Sequence, residues 1–164
     1  MAAIGVIIAA AFFMDHRAKT ALAIAERNGD RAVQIASKGF LDGRTAVYLV
    51  CSQEGQTRIV TKTYFQAREF LRPGAHSKGG FHLSAWERRG RADIQVSVPM
   101  TITAMGGLDT MESDTLDSSA VASIVEGLRN PTLDFLSVHG FEHGFFFTRS
   151  GVADLRPLER CLPK

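Results

Sequence analysis

Thr45-Ala46-Val47-Tyr48-Leu49-Val50-Cys51, followed by Ser52-Gln53-Glu54-Gly55 and then by Thr57–Phe65, decides the fold. The first run is β-branched and aromatic. The third carries Arg58-Ile59-Val60-Thr61-Lys62-Thr63-Tyr64, and the polar segment between them ends on glycine. Two such runs joined by a short polar turn predict an antiparallel hairpin. Downstream, Phe81, Leu83 and Ala85 alternate with His82, Ser84 and Trp86, as a half-buried strand requires. Lys78-Gly79-Gly80 before it reads as part of a loop, and Arg88-Arg89-Gly90-Arg91 after it as a tight connection. Ile94, Val96 and Val98 repeat the alternation. Pro99 has no N–H for a ladder, so it marks an edge, a bulge or a break.

Helical spacing appears later. Asp117-Ser118-Ser119 is an N-cap signal, and Val121, Ile124, Val125 and Leu128 follow at helical intervals until Asn130-Pro131. Thr132–Val138 and Gly144–Thr148 read as strands around a turn at His139-Gly140-Phe141-Glu142. Ser150 would cap a last helix from about Gly151 to Arg160, with Val152, Leu155 and Leu158 on one face and Cys161 at its end. Strands joined by polar turns, without a helix between each pair, favour antiparallel pairing over a doubly wound sheet.

Upstream, Ala32–Ser37 is short enough for either a helix or a strand, and the domain boundary falls between Gly29 and Gly39. Ala2–Met14 is thirteen residues without a charge. A membrane span needs roughly 18 or more, whereas a signal peptide's apolar region is of this length. No Lys or Arg precedes it, and Thr20–Glu26 continues with helix formers. A helix from about Ala2 to Asn28 is expected, as a signal or anchor, a membrane-associated helix, or a buried helix of a soluble domain. The expected fold is therefore mainly β (α+β): an antiparallel β-sandwich-like domain over residues 40–164, with a long N-terminal apolar helix over residues 1–29 and two short C-terminal helices.

The 164 residues make one domain, and a formal net charge of +2 does not by itself argue for nucleic acid. The distribution is less even: +6 from Arg58 to Arg91 and −6 from Ala92 to Glu126. Either two solvated surfaces neutralise each other, or the basic one is an electrostatic docking face for an acidic partner. Arg68, Arg72, Lys78, Trp86, Arg88, Arg89 and Arg91 form the candidate binding face. Basic residues interleaved with Phe70, Phe81 and Trp86 also fit a single-stranded nucleic-acid surface, against the alternative that the aromatics point into the core. Met105-Gly106-Gly107 lacks the Lys-Ser/Thr of a phosphate loop, and Ser84, Ser97 and Ser137 have no nucleophile-elbow context. Asp109, Glu112 and Asp114 read as a solvated loop, or at most a weak cation site. His139-Gly-Phe-Glu142-His143 matches an inverted zinc-protease string. That chemistry needs both imidazoles on one helix face, and strand-like segments flank the string here. His139 and His143 remain weak metal candidates at a hairpin tip; no cofactor and no catalytic residue is implied.

Cys51 and Cys161, 110 positions apart, match no CxxC, zinc or cluster spacing. In an exported chain they would bridge the first strand of the domain to its last helix; in a cytosolic one they would be two buried thiols.

Phe147-Thr-Arg-Ser-Gly151-Val-Ala153-Asp-Leu155-Arg-Pro-Leu158-Glu-Arg-Cys161 resembles the C-terminal part of small periplasmic proteins of the invasion-associated locus B type. It is also similar to the ending of an accessory protein of type VI secretion clusters. In those proteins a strand ending Phe-x-x-Ser-Gly leads into a helix that closes on cysteine. Their upstream strand ends in a cysteine before a glycine turn, as Val50-Cys51-Ser-Gln-Glu-Gly55 does, and a tryptophan follows a mid-chain strand, as in Phe81–Trp86. The likeness covers about Ala46 to Cys161. It implies a secreted β-sandwich-like domain without catalytic residues and supports pairing Cys51 with Cys161. The expectation is a non-catalytic exported or membrane-anchored envelope domain, periplasmic or held at the membrane through residues 2–14, that binds a protein or envelope component. The alternatives are a cytoplasmic nucleic-acid or regulatory binder and, third, a metal-dependent hydrolase.

Overall fold

A computed structural model describes residues 26–37, 46–62, 72–86, 92–105, 110–140, 143–149 and 153–163. Eight antiparallel strands carry the chain: β1 (Arg31–Ser37), β2 (Ala46–Cys51), β3 (Thr57–Lys62), β4 (His76–Trp86), β5 (Ala92–Ala104), β6 (Thr110–Ser113), β7 (Phe135–Gly140) and β8 (His143–Thr148). One α-helix, α1 (Ser118–Arg129), lies between β6 and β7, and short 3-10 turns cover Arg27–Gly29 and Arg156–Cys161.

The strands form one closed barrel in the order β1-β2-β3-β6-β5-β4-β7-β8, which replaces the expected sandwich. Two features allow a single sheet to close on itself. The long β4–β5 ribbon is bulged at Leu83/Ser84, and β1 is bulged at Gln34/Ala36; bulges bend and twist a sheet toward closure. The expected pair of C-terminal helices is also corrected. Among the described residues, only Ser118–Arg129 is α-helical. Residues 156–161 form a 3-10 run with proline in its first turn, too short to become a helix. Of the expected N-terminal helix, residues 1–25 lie outside the described residues. Its expected end is a 3-10 turn in which Asn28 (φ 60°) and Gly29 (φ 78°) are left-handed and swing the chain into β1. Ala32–Ser37 is a strand paired with β2, so the barrel includes chain before residue 40.

Local chemistry explains the remaining differences. Lys78-Gly79-Gly80 is strand, not loop, because β4 passes tightly beside β7: a Cβ on Gly79 would sit 2.0 Å from the His139 carbonyl oxygen. Pro99 lies within β5 opposite Gly80. It interrupts nothing, because β6 pairs with β5 only at Ile102–Ala104 and leaves the ladder beside Pro99 unused. His139 and Gly140 belong to β7, and Gly140 opposite His143 leaves only residues 141–142 for the turn.

Inward side chains fill the barrel. Leu49, Ile59, Phe81, Leu83, Ile102, Met111 and Leu136 are fully buried, and Ile124 and Leu128 of α1 and Leu158 of the last 3-10 turn join the same cluster. Helix α1 starts where the Asp117 carboxylate accepts the Ala120 N–H at 2.8 Å. At its other end the buried Arg149 guanidinium donates to the carbonyls of Gly127 (3.2 Å), Leu128 (2.5 Å) and Leu133 (2.5 Å). A cation at these carbonyls complements the helix dipole. Ala46, Tyr48, Val50 and Val60 form a second, smaller buried cluster, so β2 is dry on both faces. Burial, with Glu26 adding a smaller effect, pushes the Tyr48 phenol above its usual range.

Two cross-links close the β1–β3 side. Cys51 and Cys161 are disulfide-bonded with Cα atoms 5.7 Å apart. The bridge starts from β2 rather than from the first strand and ends on the 3-10 run. Beside it, Arg160 donates to the Ser52 carbonyl, and the Thr57 hydroxyl reaches the Cys161 carbonyl at 3.5 Å. On the outside, Arg58 pairs with Asp30 at 2.7 Å and with Glu112, which also holds Arg27 at 2.6 Å.

Replacing both cysteines by alanine removes a loop constraint worth about 4 kcal/mol in the chain-entropy description. Urea denaturation of the double variant should show a loss of that size, matched by the reduced wild-type protein. Arg58→Ala leaves the Asp30 and Glu112 carboxylates without their shared cation in a mostly buried setting. A loss of about 3 kcal/mol is expected in the same assay, and Arg31→Ala, at an exposed position, serves as the neutral control.

Candidate functional site

Strand alternation places Gly80 and His82 of β4, Ser137 and His139 of β7, and Gly144 and Phe146 of β8 on the outside of the barrel, opposite the buried Phe81, Leu83, Leu136 and Val138. The cross-strand register aligns them in rows: Ser97, His82, Ser137 and Phe146 in one, Pro99, Gly80, His139 and Gly144 in the next. Gly80 thus lies two residues before His82 on β4, and Gly144 lies directly opposite His139. Where Gly80 and Gly144 lack side chains, the His82 and His139 rings fold down: a Cβ on Gly80 would meet His82 Nε2 at 2.8 Å, and one on Gly144 would meet His139 Nδ1 at 2.6 Å.

The two imidazoles meet edge to face, centroids 5.0 Å apart. His139 also meets Phe146 edge-on at 5.6 Å, and Phe146 stacks on Phe135 at 5.4 Å. His139 Nε2 lies 2.9 Å from the Ser137 hydroxyl. His82 Nδ1 is buried without a hydrogen-bond partner. Burial first, and the neighbouring His139 second, hold the His82 imidazole below its ordinary value of 6.5. A groove of about 550 Å³ runs over this face, lined by Lys78, Gly80, His82, Ser97, Pro99 and His139 among others. Phe146 stays 51% exposed at its margin, and Ile94, across Ser84 from Phe135, is 54% exposed.

The sequence-predicted residues divide. Lys78 is exposed and lines this groove, and it also lines a second one beside Asp114 and Asp117. Arg72 is exposed ahead of the Pro73-Gly74 turn. Trp86 ends β4, some ten residue steps and roughly 33 Å from His76, and its side chain lies outside the described residues. Arg68, Arg88, Arg89 and Arg91 lie outside them too. The acidic and basic stretches meet: Arg58 pairs with Glu112 across β3–β6, and Lys78 shares a groove with two aspartates.

His139 and His143 sit on opposite strands of a hairpin, so the helix face that the inverted zinc-protease string requires is not formed; the His143 side chain lies outside the described residues. Among the described residues, no three His, Cys, Asp or Glu side chains cluster as metal ligands. His82, which joins His139 at the centre of the site, carried only an alternation signal in sequence. Its partner is 57 positions away, and nothing local announces the contact.

These features define a class: a small antiparallel barrel, packed inside and tied by a disulfide, with its grooves on the outer surface. Comparison with known protein families, with curated proteins and with solved structures finds no match to this chain. The disulfide is the mark of a chain that matures in an oxidising, extracytoplasmic setting. Among the described residues, no helix is long and apolar enough to cross a membrane.

Because the native His82 resists a proton that the unfolded chain accepts, its neutral form contributes stability above about pH 6.5 that is lost as pH falls through the depressed native value. Urea midpoints measured from pH 7.5 to 5.0 should fall across that window, and His82→Asn should flatten the fall.

Proposed function

We propose that this chain is an exported domain of the bacterial envelope, periplasmic or held at the membrane through residues 2–14, that binds a protein partner and performs no chemistry of its own. The observation that carries this reading is Phe146. It is an aromatic side chain half-exposed on a rigid strand, stacked on Phe135 and flanked by His139. Aromatic anchors of this kind dominate protein-binding energetics. The barrel interior is filled by side chains, so a partner is met on the outer surface. The disulfide supports the export half of the reading, as does the likeness of the C-terminal stretch to small periplasmic proteins.

A photo-crosslinking residue at position 146, introduced in the native host, tests both halves. The expected result is a single crosslinked partner in the envelope fraction, with Cys51 and Cys161 bonded in non-reducing mass spectrometry. Phe146→Ala should weaken recovery of that partner about 10-fold or more. Recovery of the chain from the cytosol with both thiols free overturns the reading. Salt-steep oligonucleotide binding, lost when Arg88, Arg89 and Arg91 become alanine, would point instead to a nucleic-acid binder.

A further inference from the structure

The groove beside Phe146 has a chemistry that a purely apolar docking face would not need. Its polar side chains are one ammonium, Lys78, two imidazoles, His82 and His139, and the Ser97 hydroxyl. No carboxylate lines it among the described residues. Among the described residues, the acids on the elements beside the groove have other settings. Asp117 caps α1 and accepts from Ser119, and Asp114 lies with it in the separate groove on the far side of Lys78. Asp93 is farther along β5, where it accepts from Gln95. Among the described residues of β7 and β8, the groups that meet His139 are the Ser137 hydroxyl, Phe146 and the bare backbone of Gly144.

We propose that this groove is a proton-gated docking site for an acidic segment of the protein partner, an inference that rests on the partner-binding reading above. With both imidazoles neutral the groove presents one cation. With both protonated it presents three within a few side-chain lengths, and among the described residues no carboxylate lines the groove to offset them. The 5.0 Å contact between the rings makes the doubly charged state unfavourable in the empty groove. A run of carboxylates laid across it removes that repulsion, so binding and protonation favour each other. The burial that disfavours charge on His82 places the gate on the acid side of neutrality. The exposed Phe146 would supply the apolar anchor and the imidazoles the charge reading, on one rigid surface.

The test uses a fluorescein-labelled hexaglutamate peptide and the full-length, disulfide-bonded protein, with anisotropy read at pH 7.5 and 5.5. The glutamates stay ionised at both. The expected result is binding about 10-fold tighter or more at pH 5.5, within the range usual for coupled sites. His82→Asn with His139→Asn should abolish that pH dependence, and Lys78→Ala should weaken binding at both pH values. Since the histidine variants could perturb the barrel, the imidazole C2 proton signals of the unaltered protein are followed as well. The His82 signal should titrate at higher pH with peptide present. Equal affinity at the two pH values, or signals indifferent to peptide, overturns the proposal. Competition by millimolar acetate as effective as by the peptide also overturns it, since that identifies a simple anion site. An envelope-located chain that keeps its Phe146 crosslink but ignores the peptide rejects this inference alone. A cytosolic chain with free thiols rejects the export reading whatever the peptide does.

Discussion

Ser37 opposite Thr148 joins the first and last strands of the barrel, and the Thr148 hydroxyl donates to the Ser37 carbonyl at 3.1 Å. Contacts beyond the ladder add to this closure. The C-terminal segment packs its Leu155 and Leu158 into the core, locks to β2 through Cys51–Cys161, and adds the Arg160–Ser52 bond. Arg149, immediately after β8, anchors to the last carbonyls of α1 and to Leu133. A buried guanidinium is costly to desolvate, and its pKa is lowered by that burial; bonds to three carbonyls offset the cost. Together these contacts tie β8 and the C-terminal segment to α1 and β2.

Closure in turn creates the outer face on which the site sits. Because the inside of the barrel is packed, recognition is confined to outward side chains, and those are rigid because every second residue of their strands is buried. His82, His139, Phe135 and Phe146 come from three strands and meet only because the register of β4, β7 and β8 aligns them. The glycines at 80 and 144 let the two rings lie flat against the sheet instead of standing off into solvent. The charge pattern is resolved in the same way: part of the basic stretch pairs with the acidic one across β3–β6, which leaves the outer groove to Lys78 and the imidazoles.

Some of this was legible along the chain and some was not. The β2–β3 hairpin, the outward placement of His82 and the capped α1 follow from alternation and spacing, which are local properties. The choice between a sandwich and a barrel is global. It depends on bulges at Leu83/Ser84 and Gln34/Ala36 and on a contact 111 positions apart, none of which has a local signature. Gly79 and Gly80 read as loop because glycine disfavours strands, and only the closeness of β7 explains why they are strand. Pro99 read as an edge, a bulge or a break, and the short β6 settles it as an unused edge. The meeting of His82 with His139 was invisible for the same reason as closure: register between distant strands is set by packing, not by neighbours in sequence.

By itself the sequence determined the β2–β3 hairpin, the alternating strands around Phe81–Trp86 and Ile94–Val98, the capped helix at Ser118–Arg129 and two cysteines that fit no metal or redox spacing, because periodicity and capping are written within a few residues of each other. Only the tertiary structure decided that the sheet closes, that Cys51 reaches Cys161 from the second strand, and that two histidines 57 positions apart share one groove. Those outcomes depend on how the whole core fills, and a core is filled by side chains from every strand at once.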